Sequence, residues 1–514
     1  MTKESAAMES FADNGSRRHA PLAMDAATFR KLGHRLVDQV AEFLESLPLG
    51  PVTRDESPSV VREALDLTGP LPELGTDPAA LLEQTAQFLF AHSLFNGHPR
   101  FFGYITAPPA PIGILGDFLA AAVNPNVGAW TLSPAATELE SQTVRWIAEF
   151  ISYPVNCGGL LVSGGNMANF VCFLAARAAK AGWDVREHGV SKDSGRRLRA
   201  YCSAETHTWI QKAADISGLG TTSIGWIATD EKLRMDVAAL RRQIEADRAA
   251  GNVPFLVVGT AGSVSTGAVD PLAEISALCK EYGVWFHVDG AYGGFAAAVP
   301  QAPDDLRALS QADSVAVDPH KWFYAPLEVG CALVRDPEAL RAAFAYHPPY
   351  YHFEERVTNY VDYGPQNSRG FRALKVWLAL RHVGAAGYRN IIADDIRLSQ
   401  AMAQAVSRHG DLQLMTQDLS ITTLRYVPND LRTKLQEAQV ELHLDALNRE
   451  LVDRLQREGE TFVSNAIVGG HYVLRACIVN FHTAQRDVEA LPDIVARIGR
   501  MVDAELRPMM SQRE

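Results

Sequence analysis

From Gly159 onward, short apolar and β-branched runs alternate with stretches whose apolar residues recur at helical spacing. The runs predict seven strands, at residues 159–162, 200–203, 223–228, 255–259, 284–288, 314–317 and 331–334. Helices are predicted between them, among others at residues 167–181, 237–250 and 271–282. Such alternation favours an α/β fold with a mostly parallel sheet covered by helices on both faces. Because ligands of these sheets bind beyond the carboxyl ends of the strands, the loops that follow strands should carry the chemistry.

The sequence before this region predicts a helical arm. Residues 1–24 are expected to be a disordered tail, since their first part is small and polar. Residues 25–110 form an N-terminal helical segment that begins with an amphipathic helix at 25–47 and continues with Pro-rich, extended sequence at 49–78. Such an arm suits docking on another subunit, although packing on its own domain is equally compatible with the pattern.

The sequence after this region predicts a smaller domain. The alternating region is assigned to a large domain, residues 111–378, and the rest to a small C-terminal α/β domain, residues 379–514. In the small domain, helices up to His409 are followed by strand segments at 421–426 and 461–480, the latter with a Gly-Gly hairpin turn, and by a final helix at 487–506.

Composition narrows the possible partners. The 514 residues are 47% hydrophobic and 21% charged, with a net charge of −12, and no block of like charges occurs. These values favour a soluble globular protein and argue against nucleic acid or a membrane surface as partner. The six scattered cysteines contain no CxxC pair, so neither a disulfide framework nor a zinc site is expected. Without a signal peptide or a bilayer-spanning run, a cytoplasmic location is predicted.

A lysine at the end of one predicted strand is the first candidate for chemistry. The run 314–317 ends in Asp318-Pro319-His320-Lys321-Trp322. A lysine that is partly withdrawn from water loses proton affinity, and its neutral amine can attack a carbonyl to form a Schiff base. Taken alone, the pattern favours a surface lysine after a strand, and the rest of the chain decides for the Schiff base.

Three other strand ends add complementary groups. The loop at 163–166, Ser-Gly-Gly-Asn, opens a helix and could hold a phosphate on free backbone N–H groups. Asp289 ends the strand at 284–288, where a buried carboxylate needs a positive or hydrogen-donating partner. His207 follows the strand at 200–203. Together these groups predict pyridoxal phosphate as the cofactor. The glycine loop suits its phosphate, the histidine and the aspartate suit its ring and ring nitrogen, and the lysine suits its aldehyde.

The chain after the polar tail resembles the group II pyridoxal-phosphate-dependent amino acid decarboxylases, a family that includes aromatic-L-amino-acid, histidine and tyrosine decarboxylases. The motifs that carry the resemblance are His98-Pro99-Arg100-Phe101, residues 133–140, Ser163-Gly164-Gly165, residues 287–292 (His-Val-Asp-Gly-Ala-Tyr), Asp318-Pro319-His320-Lys321-Trp322 and residues 371–375 (Phe-Arg-Ala-Leu-Lys). The resemblance implies the fold-type I architecture of these enzymes and a homodimer with active sites at the interface, in which the helix at 25–47 is exchanged between subunits.

The resemblance also implies roles for individual residues. Lys321 would hold the cofactor, His207 would stack on its ring, and Asp289 would pair with the ring nitrogen. Further cofactor contacts are expected from Gly165, Asn166, Thr260, Ala291, His320 and, reaching the partner subunit, Ser368. The substrate-binding residues are expected to be Tyr104, Ile105, Ala107 and Trp130.

A tyrosine in a loop before the small domain is expected to return a proton to the substrate. That position corresponds to Tyr350, and a shift of one residue would make it Tyr351. In the family that the chain resembles, a tyrosine at this position goes with an amine product and a phenylalanine with an aldehyde. We therefore expect decarboxylation of an aromatic L-amino acid: Trp, Tyr, Phe or dihydroxyphenylalanine.

Several residues depart from the animal aromatic enzymes and leave the substrate open. These departures are Asn126, Gly128, Val264, Asp318 and Ser368. The alternatives are an aromatic aldehyde synthase, a decarboxylase of histidine or of an acidic amino acid, and a non-catalytic protein of the same fold. An acidic substrate would need a dedicated arginine, which the sequence alone does not identify.

Overall fold

The computed structural model describes residues 20–190, 195–347 and 356–511, except for the side chains of 509–511. Most of the tail that the sequence predicts to be disordered, and both tyrosines expected to donate a proton, therefore lie outside the described residues. The described chain forms two compact units. One comprises residues 20–47 and Glu56–Ser93, and the other comprises Pro48–Asp55 and residues 94–511.

The first unit is helical. Its helices are α1 Ala26–Ser46, α2 Pro58–Ala64 and α3 Pro78–His92. The Asp25 side chain caps α1 by accepting a hydrogen bond from the Thr28 backbone N–H at 2.8 Å. Within this unit, Phe43 of α1 stacks on Phe90 of α3 with ring centroids 4.4 Å apart. The amphipathic helix predicted at 25–47 is thus present.

The prediction of purely extended sequence over residues 49–78 was wrong at α2. This helix has Ser57 as its N-cap, whose Oγ accepts a hydrogen bond from the Val60 N–H at 3.4 Å, and Pro58 in its first turn. A Ser-Pro pair is a helix-start signal. The helix is only seven residues long, too short to show a helical pattern among the surrounding prolines, which by themselves favour extended sequence.

The second unit contains the remaining helices and all the described strands. In chain order they are β1 Phe101–Phe102, α4 Pro111–Val123, α5 Pro134–Phe150, β2 Gly158–Val162, α6 Gly165–Lys180, α7 Val185–His188, β3 Leu198–Ser203, α8 Trp209–Ile216, β4 Ile224–Ile227, α9 Val237–Ala249, β5 Val253–Thr260, α10 Leu272–Tyr282, β6 Trp285–Asp289, β7 Ser314–Val317, β8 Gly330–Val334, α11 Pro337–Phe344, α12 Ala373–Arg408, β9 Leu412–Asp418, β10 Ile421–Tyr426, α13 Ala438–Glu458, β11 Phe462–Val468, β12 His471–Cys477 and α14 Gln485–Ser511.

The larger sheet has seven strands in the order β2-β8-β7-β6-β5-β3-β4. All neighbours are parallel except β8, which runs antiparallel to both β2 and β7. The prediction of a mostly parallel, seven-stranded sheet is therefore confirmed, and the ends of the predicted strands shift by at most two residues. Apolar side chains alternate between its two faces: Val257 and Val288 belong to one core cluster, and Leu256 and Val258 to the other.

A second sheet of five strands follows the order β1-β11-β12-β10-β9. The predicted hairpin is present, since β11 and β12 pair antiparallel around Gly469 and Gly470, which both have positive φ. Two elements, β9 and α13, were not predicted from the sequence. β9 follows the turn at Gly410-Asp411, but its apolar and polar residues alternate only over Leu412, Gln413 and Leu414, which makes this strand hard to separate from a loop by its pattern.

A buried ion pair ties the loop around Ser368 to the larger sheet. The Arg369 guanidinium donates hydrogen bonds to the Glu140 carboxylate, to the Val127 carbonyl at 2.8 Å and to the Leu161 carbonyl at 2.7 Å. Glu140 also accepts the Leu161 N–H at 2.9 Å. The two charged side chains are at most 1% exposed. This one ion pair therefore fixes the relative positions of helix α5, strand β2 and the loop after residue 366.

We predict that Glu140→Gln strongly destabilises the second unit. The substitution leaves the Arg369 guanidinium buried without a counter-charge, which costs about 3–5 kcal/mol. Denaturant unfolding of the two proteins would measure the change. The matched control is Asp394→Asn, which breaks an Arg397 pair whose side chains are both 55% exposed and should unfold like wild type. Equal stability of Glu140→Gln and this control would contradict the role of the buried pair.

Candidate active site

A cavity of about 570 Å³ lies at the carboxyl ends of β5, β6 and β7 within the second unit, and residues of β11 and β12 form another part of its wall. The predicted site residues that line it are Tyr104, Ile105, Gly165, Asn166, His207, Thr260, Asp289, Ala291, His320 and Lys321. The structure thus brings together side chains from six separate stretches of the sequence.

Lys321 stands in the turn that follows the fully buried strand β7. Its side chain is 18% exposed, and Nζ lies 3.1 Å from Oδ2 of Asp318, which is 3% exposed. A partly buried ammonium group needs such a partner. The lysine is therefore held in the cavity as one half of an ion pair.

The residues after Lys321 are fixed by a buried carboxyl group on α12. Asp395 Oδ2 accepts hydrogen bonds from Trp322 Nε1 at 2.9 Å and from the Tyr324 hydroxyl at 2.7 Å. Burial raises the pKa of Asp395 to about 7. Trp322 also stacks on Tyr292, a cavity residue, with centroids 4.8 Å apart. The turn that carries Lys321 therefore cannot rotate without breaking these contacts.

Asp289, the last residue of β6, presents a carboxylate that is held by neutral donors. Trp209 Nε1 donates to its Oδ2 at 2.7 Å, and the Ala291 N–H donates to its Oδ1 at 3.2 Å. Among the described residues, no Lys, Arg or His side chain forms an ion pair with it. A ligand with a protonated ring nitrogen would supply the missing positive charge.

A hydrogen-bonded series behind the cavity fixes His287. Trp285 Nε1 donates to Ser314 Oγ at 2.8 Å, so the Ser314 hydroxyl can donate to His287 Nδ1, also at 2.8 Å. His287 Nε2–H then donates to Asn169 Oδ1 at 2.7 Å. Burial lowers the pKa of His287 to about 4, which keeps the ring neutral. Asn169, which lines the cavity, is thereby held in one orientation.

His207 lies in the loop between β3 and α8. Its Nδ1 accepts the backbone N–H of Trp209 at 3.2 Å, which leaves Nε2 to carry the proton in the neutral ring. Burial lowers the pKa of His207 and favours that neutral form. A neutral imidazole in the cavity can stack on an aromatic ring without adding charge.

The predicted phosphate cradle has the required shape. Gly164 adopts φ of +83°, and Gly165 begins α6, where the first backbone N–H groups have no acceptor in the helix. A Cβ at Gly165 would lie 2.6 Å from Asp318 Oδ2, so only glycine fits. The His320 ring completes this end of the cavity, with Nδ1–H donating to the Val329 carbonyl at 2.6 Å. Together with Asp289 and Lys321, the cradle fits pyridoxal phosphate.

Sequence reasoning missed Arg475 on β12. Its side chain lines the cavity, and Nη1 donates to Ser464 Oγ at 3.0 Å and to the Tyr104 carbonyl at 3.2 Å. Its Nε and Nη2 are buried without a hydrogen-bond partner among the described residues. An arginine inside the otherwise apolar run 472–477 was a usable signal, since charge at a core position has a functional or structural reason.

Other predicted residues are not part of the lining. Ala107 is buried in the hydrophobic core, and the Trp130 indole donates to Glu138 Oε1 at 2.8 Å. Ser368 is exposed. Tyr350 and Tyr351 lie outside the described residues. The roles expected of these residues stay predictions.

None of the described helices is both long and apolar enough to span a bilayer. Within the same ranges, no three His, Cys, Asp or Glu side chains are grouped so that they could hold a metal ion.

Comparison with known proteins gives consistent matches over most of the chain. The model of the pyridoxal-dependent decarboxylase conserved domain matches residues 65–426. An aromatic-L-amino-acid decarboxylase of Bacillus atrophaeus is 32% identical over 472 residues, which cover 91% of this chain and 94% of the relative. A phenylacetaldehyde synthase of a Rosa hybrid cultivar is 28% identical, with 89% and 91% covered. The solved structure of Oryza sativa TDC with PLP and tryptamine aligns with a TM-score of 0.85 and 26% identity, covering 94% of this chain and 99% of the other.

Proposed function

The chain belongs to the pyridoxal-dependent decarboxylase family and is a pyridoxal phosphate-dependent amino acid decarboxylase, and we propose that it converts an aromatic L-amino acid to the corresponding amine and CO2. The observation that carries the proposal is the convergence of Lys321, Asp289 and the Gly165 cradle in one cavity. The similarity to an aromatic-L-amino-acid decarboxylase over 91% of the chain supports the substrate class.

We assign the cofactor contacts as follows. Lys321 attaches the cofactor through its amine, and Asp289 keeps the ring nitrogen protonated. The N–H groups at Gly165 and Asn166 bind the phosphate, and the neutral His207 ring stacks on the cofactor. The remaining contacts come from Thr260, Ala291, His320 and, toward a partner subunit, Ser368.

The chain's own groups then carry the reaction. When bound, pyridoxal phosphate supplies an electron sink for the electron pair left behind as CO2 departs. The Asp289 carboxylate, held by Trp209 and by a backbone N–H, keeps that sink effective because it stabilises the ring-nitrogen proton. The Tyr350 hydroxyl returns a proton to Cα, with Tyr351 as the alternative donor.

The substrate lies between an aromatic wall and a cation. Tyr104 and Ile105 line the cavity beside Arg475. Ala107 and Trp130 do not line it, and their substrate contacts stay predictions from the sequence. Tyr104 adopts a positive φ of 51°, unusual for a residue with a side chain, and its carbonyl accepts a hydrogen bond from Arg475. For an aromatic amino acid, we assign the α-carboxylate to the Arg475 guanidinium.

A second candidate substrate is an acidic amino acid. The arginine that such a substrate needs is present in the cavity as Arg475, buried and without an acidic partner among the described residues. In that case the guanidinium binds the side-chain carboxylate. An aldehyde product is the other alternative, since a phenylacetaldehyde synthase is also similar over most of the chain.

We further propose that the enzyme is a cytoplasmic homodimer. All six cysteines are free thiols, which suits a reducing compartment. Helix α4 exposes an apolar row at i, i+3, i+4 and i+8 spacing, made of Leu115, Phe118, Leu119 and Val123. Within the first unit, α1 exposes Phe29 and Val37. Exposed apolar rows of this kind suit a subunit interface.

We also propose a role for each segment of the chain. Residues 25–110 serve dimerisation, residues 111–378 bind the cofactor, and residues 379–514 form the small domain that contributes Arg475 to the substrate region. The cavity wall formed by β11 and β12 supports this assignment.

If the protein is a homodimer, its mass in solution should be twice that of one chain. Light scattering of the purified holoenzyme should give the mass of two chains. Leu119→Glu places a charge in the exposed row of α4 and should shift the protein toward single chains, whereas Ile216→Glu, at an exposed apolar residue of α8, should not. A fully active wild-type protein with the mass of one chain would refute the homodimer.

The reaction predicts an amine product. We expect mass spectrometry, after incubation with pyridoxal phosphate and separately with Trp, Tyr, Phe, dihydroxyphenylalanine, His, Glu and Asp, to find an aromatic amine without peroxide or ammonia. Tyr350→Phe should keep the cofactor absorbance and lose amine formation, whereas Tyr351→Phe should still form amine.

The outcomes of this experiment separate the alternatives. Aldehyde with peroxide would identify an aldehyde synthase. Loss of amine formation in Tyr351→Phe alone would exchange the roles of the two tyrosines. No turnover of any amino acid by the wild-type enzyme would count against the proposed reaction.

Arg475→Gln tests the substrate contact. If Arg475 binds the α-carboxylate, the substitution should raise KM for the aromatic amino acid at least about 30-fold, because a lost buried charge pair costs about 2–5 kcal/mol. Inhibition by the aromatic amine, which has no carboxylate, should stay the same, and the cofactor absorbance shows that the site is still loaded. Unchanged KM for aromatic substrates with lost turnover of Glu or Asp would favour the acidic substrate instead.

A further inference from the structure

One carboxylate lies inside the phosphate cradle. Asp318 packs against Gly165 so closely that its Oδ2 would be 2.6 Å from a Cβ there, and its side chain is only 3% exposed. The backbone N–H groups and the positive end of α6 at this point attract anions. An anion site that already contains an anion has to neutralise it before a phosphate can enter.

Few charges are available to balance Asp318. Lys321 Nζ is 3.1 Å away, and His320 Nε2 is 3.7 Å away. Burial lowers the pKa of His320 and also that of His207, the titratable group facing Asp318 from the loop after β3, so both rings tend to be neutral. Burial raises the pKa of Cys331, which faces it from β8, and keeps the thiol neutral.

The other neighbours do not change this balance. Helix α6 presents Gly165 and Asn166, neither of which carries a charge. Arg475 lines the same cavity but forms no ion pair with Asp318 among the described residues, and Asp289, which also lines it, is itself acidic and cannot balance Asp318. Lys321 is therefore the cation that balances the negative charge of Asp318.

Lys321 cannot keep this role when the cofactor binds. Its amine must give up a proton before it can attack an aldehyde, so Asp318 loses its full counter-charge as the phosphate arrives. The other carboxylate oxygen, Oδ1, is buried without a hydrogen-bond partner among the described residues. A protonated carboxyl group would have a hydrogen to donate and no charge to repel the phosphate.

We propose that Asp318 takes up a proton when the cofactor's phosphate enters the cradle, so that cofactor retention is linked to the protonation of this one side chain. The proton comes from the nearby Lys321 ammonium or from solvent, and the carboxylate becomes a neutral carboxylic acid. This inference rests on the proposed function, because it takes pyridoxal phosphate as the molecule whose phosphate occupies the cradle.

The test measures cofactor retention against pH. The dissociation constant of pyridoxal 5′-phosphate is determined for the wild-type holoenzyme and for Asp318→Asn between about pH 6 and pH 8.5, by ultrafiltration with fluorescence detection of released cofactor. Asparagine keeps the shape and cannot ionise. The ratio of the wild-type to the variant dissociation constant should therefore rise with pH, with a limiting slope of about tenfold per pH unit for uptake of one proton. A ratio independent of pH, which a purely structural role gives, would overturn the proposal.

Two controls isolate the phosphate and the side chain. Pyridoxal has the same aldehyde without the phosphate, so its wild-type to variant ratio should stay flat, and an equal rise would remove the phosphate as the cause. Asp418→Asn removes another partly buried carboxyl group, one whose pKa burial raises to about 6 and which does not line the cavity, and it should keep the wild-type pH dependence.

A second measurement does not need the Asp318 variant to fold. Calorimetric titration of the cofactor-depleted wild-type chain near about pH 8, where the free phosphate has lost its second proton, should show about one more proton taken up with pyridoxal phosphate than with pyridoxal in buffers of different ionisation enthalpy. The phosphorus NMR shift of the bound cofactor should show that its phosphate keeps both negative charges, which leaves the extra proton to the protein. Equal proton counts would overturn the proposal. If the wild-type chain bound no pyridoxal phosphate at any pH, the proposed function itself would fail instead.

Discussion

The structure depends on holding acidic and basic side chains largely buried at the carboxyl ends of β6 and β7. These strands are hydrogen-bonded neighbours, with Asp289 opposite Ala316, so the groups that follow them are brought to one edge of the sheet. Asp318 is balanced locally by Lys321, three residues further along the chain. Asp289 receives no such balance, and the packing around it has to compensate by hydrogen bonding alone.

The cost of burying these acidic groups is offset mainly by hydrogen bonds from neutral donors and not by further charged side chains. Indole and hydroxyl groups of Trp209, Trp322 and Tyr324 donate to Asp289 or Asp395, and the neutral ring of His287 is fixed by Ser314 and Asn169. Each additional buried ion would bring its own desolvation cost. A neutral donor also fixes the orientation of the carboxyl group by a hydrogen bond, and its desolvation cost is smaller. Large aromatic residues with one polar atom therefore occupy the layer behind the cavity.

The parts that could be predicted from the sequence are those encoded locally. The seven strands, the glycine cradle, Lys321 and Asp289 each follow from a run of a few residues and the turn after it. Arg475 could not be placed, because its position in the cavity depends on how the five-stranded sheet packs beside Tyr104, a contact between residues far apart in sequence. Asp395 lies in a long helix next to the exposed Asp394, and only tertiary packing distinguishes the two residues.

The unpaired charges in the cavity argue for a ligand that carries both signs. Asp289 and Arg475 line the same cavity, yet they form no ion pair with each other, and neither has an opposite charge among the described residues. Pairing them would have lowered the cost of burying both, so keeping them apart disfavours the folded chain by itself. That cost is explained if a ligand offsets it, with a protonated ring nitrogen at Asp289 and a carboxylate at Arg475. A cofactor and an amino acid bound together supply this combination, which neither provides alone.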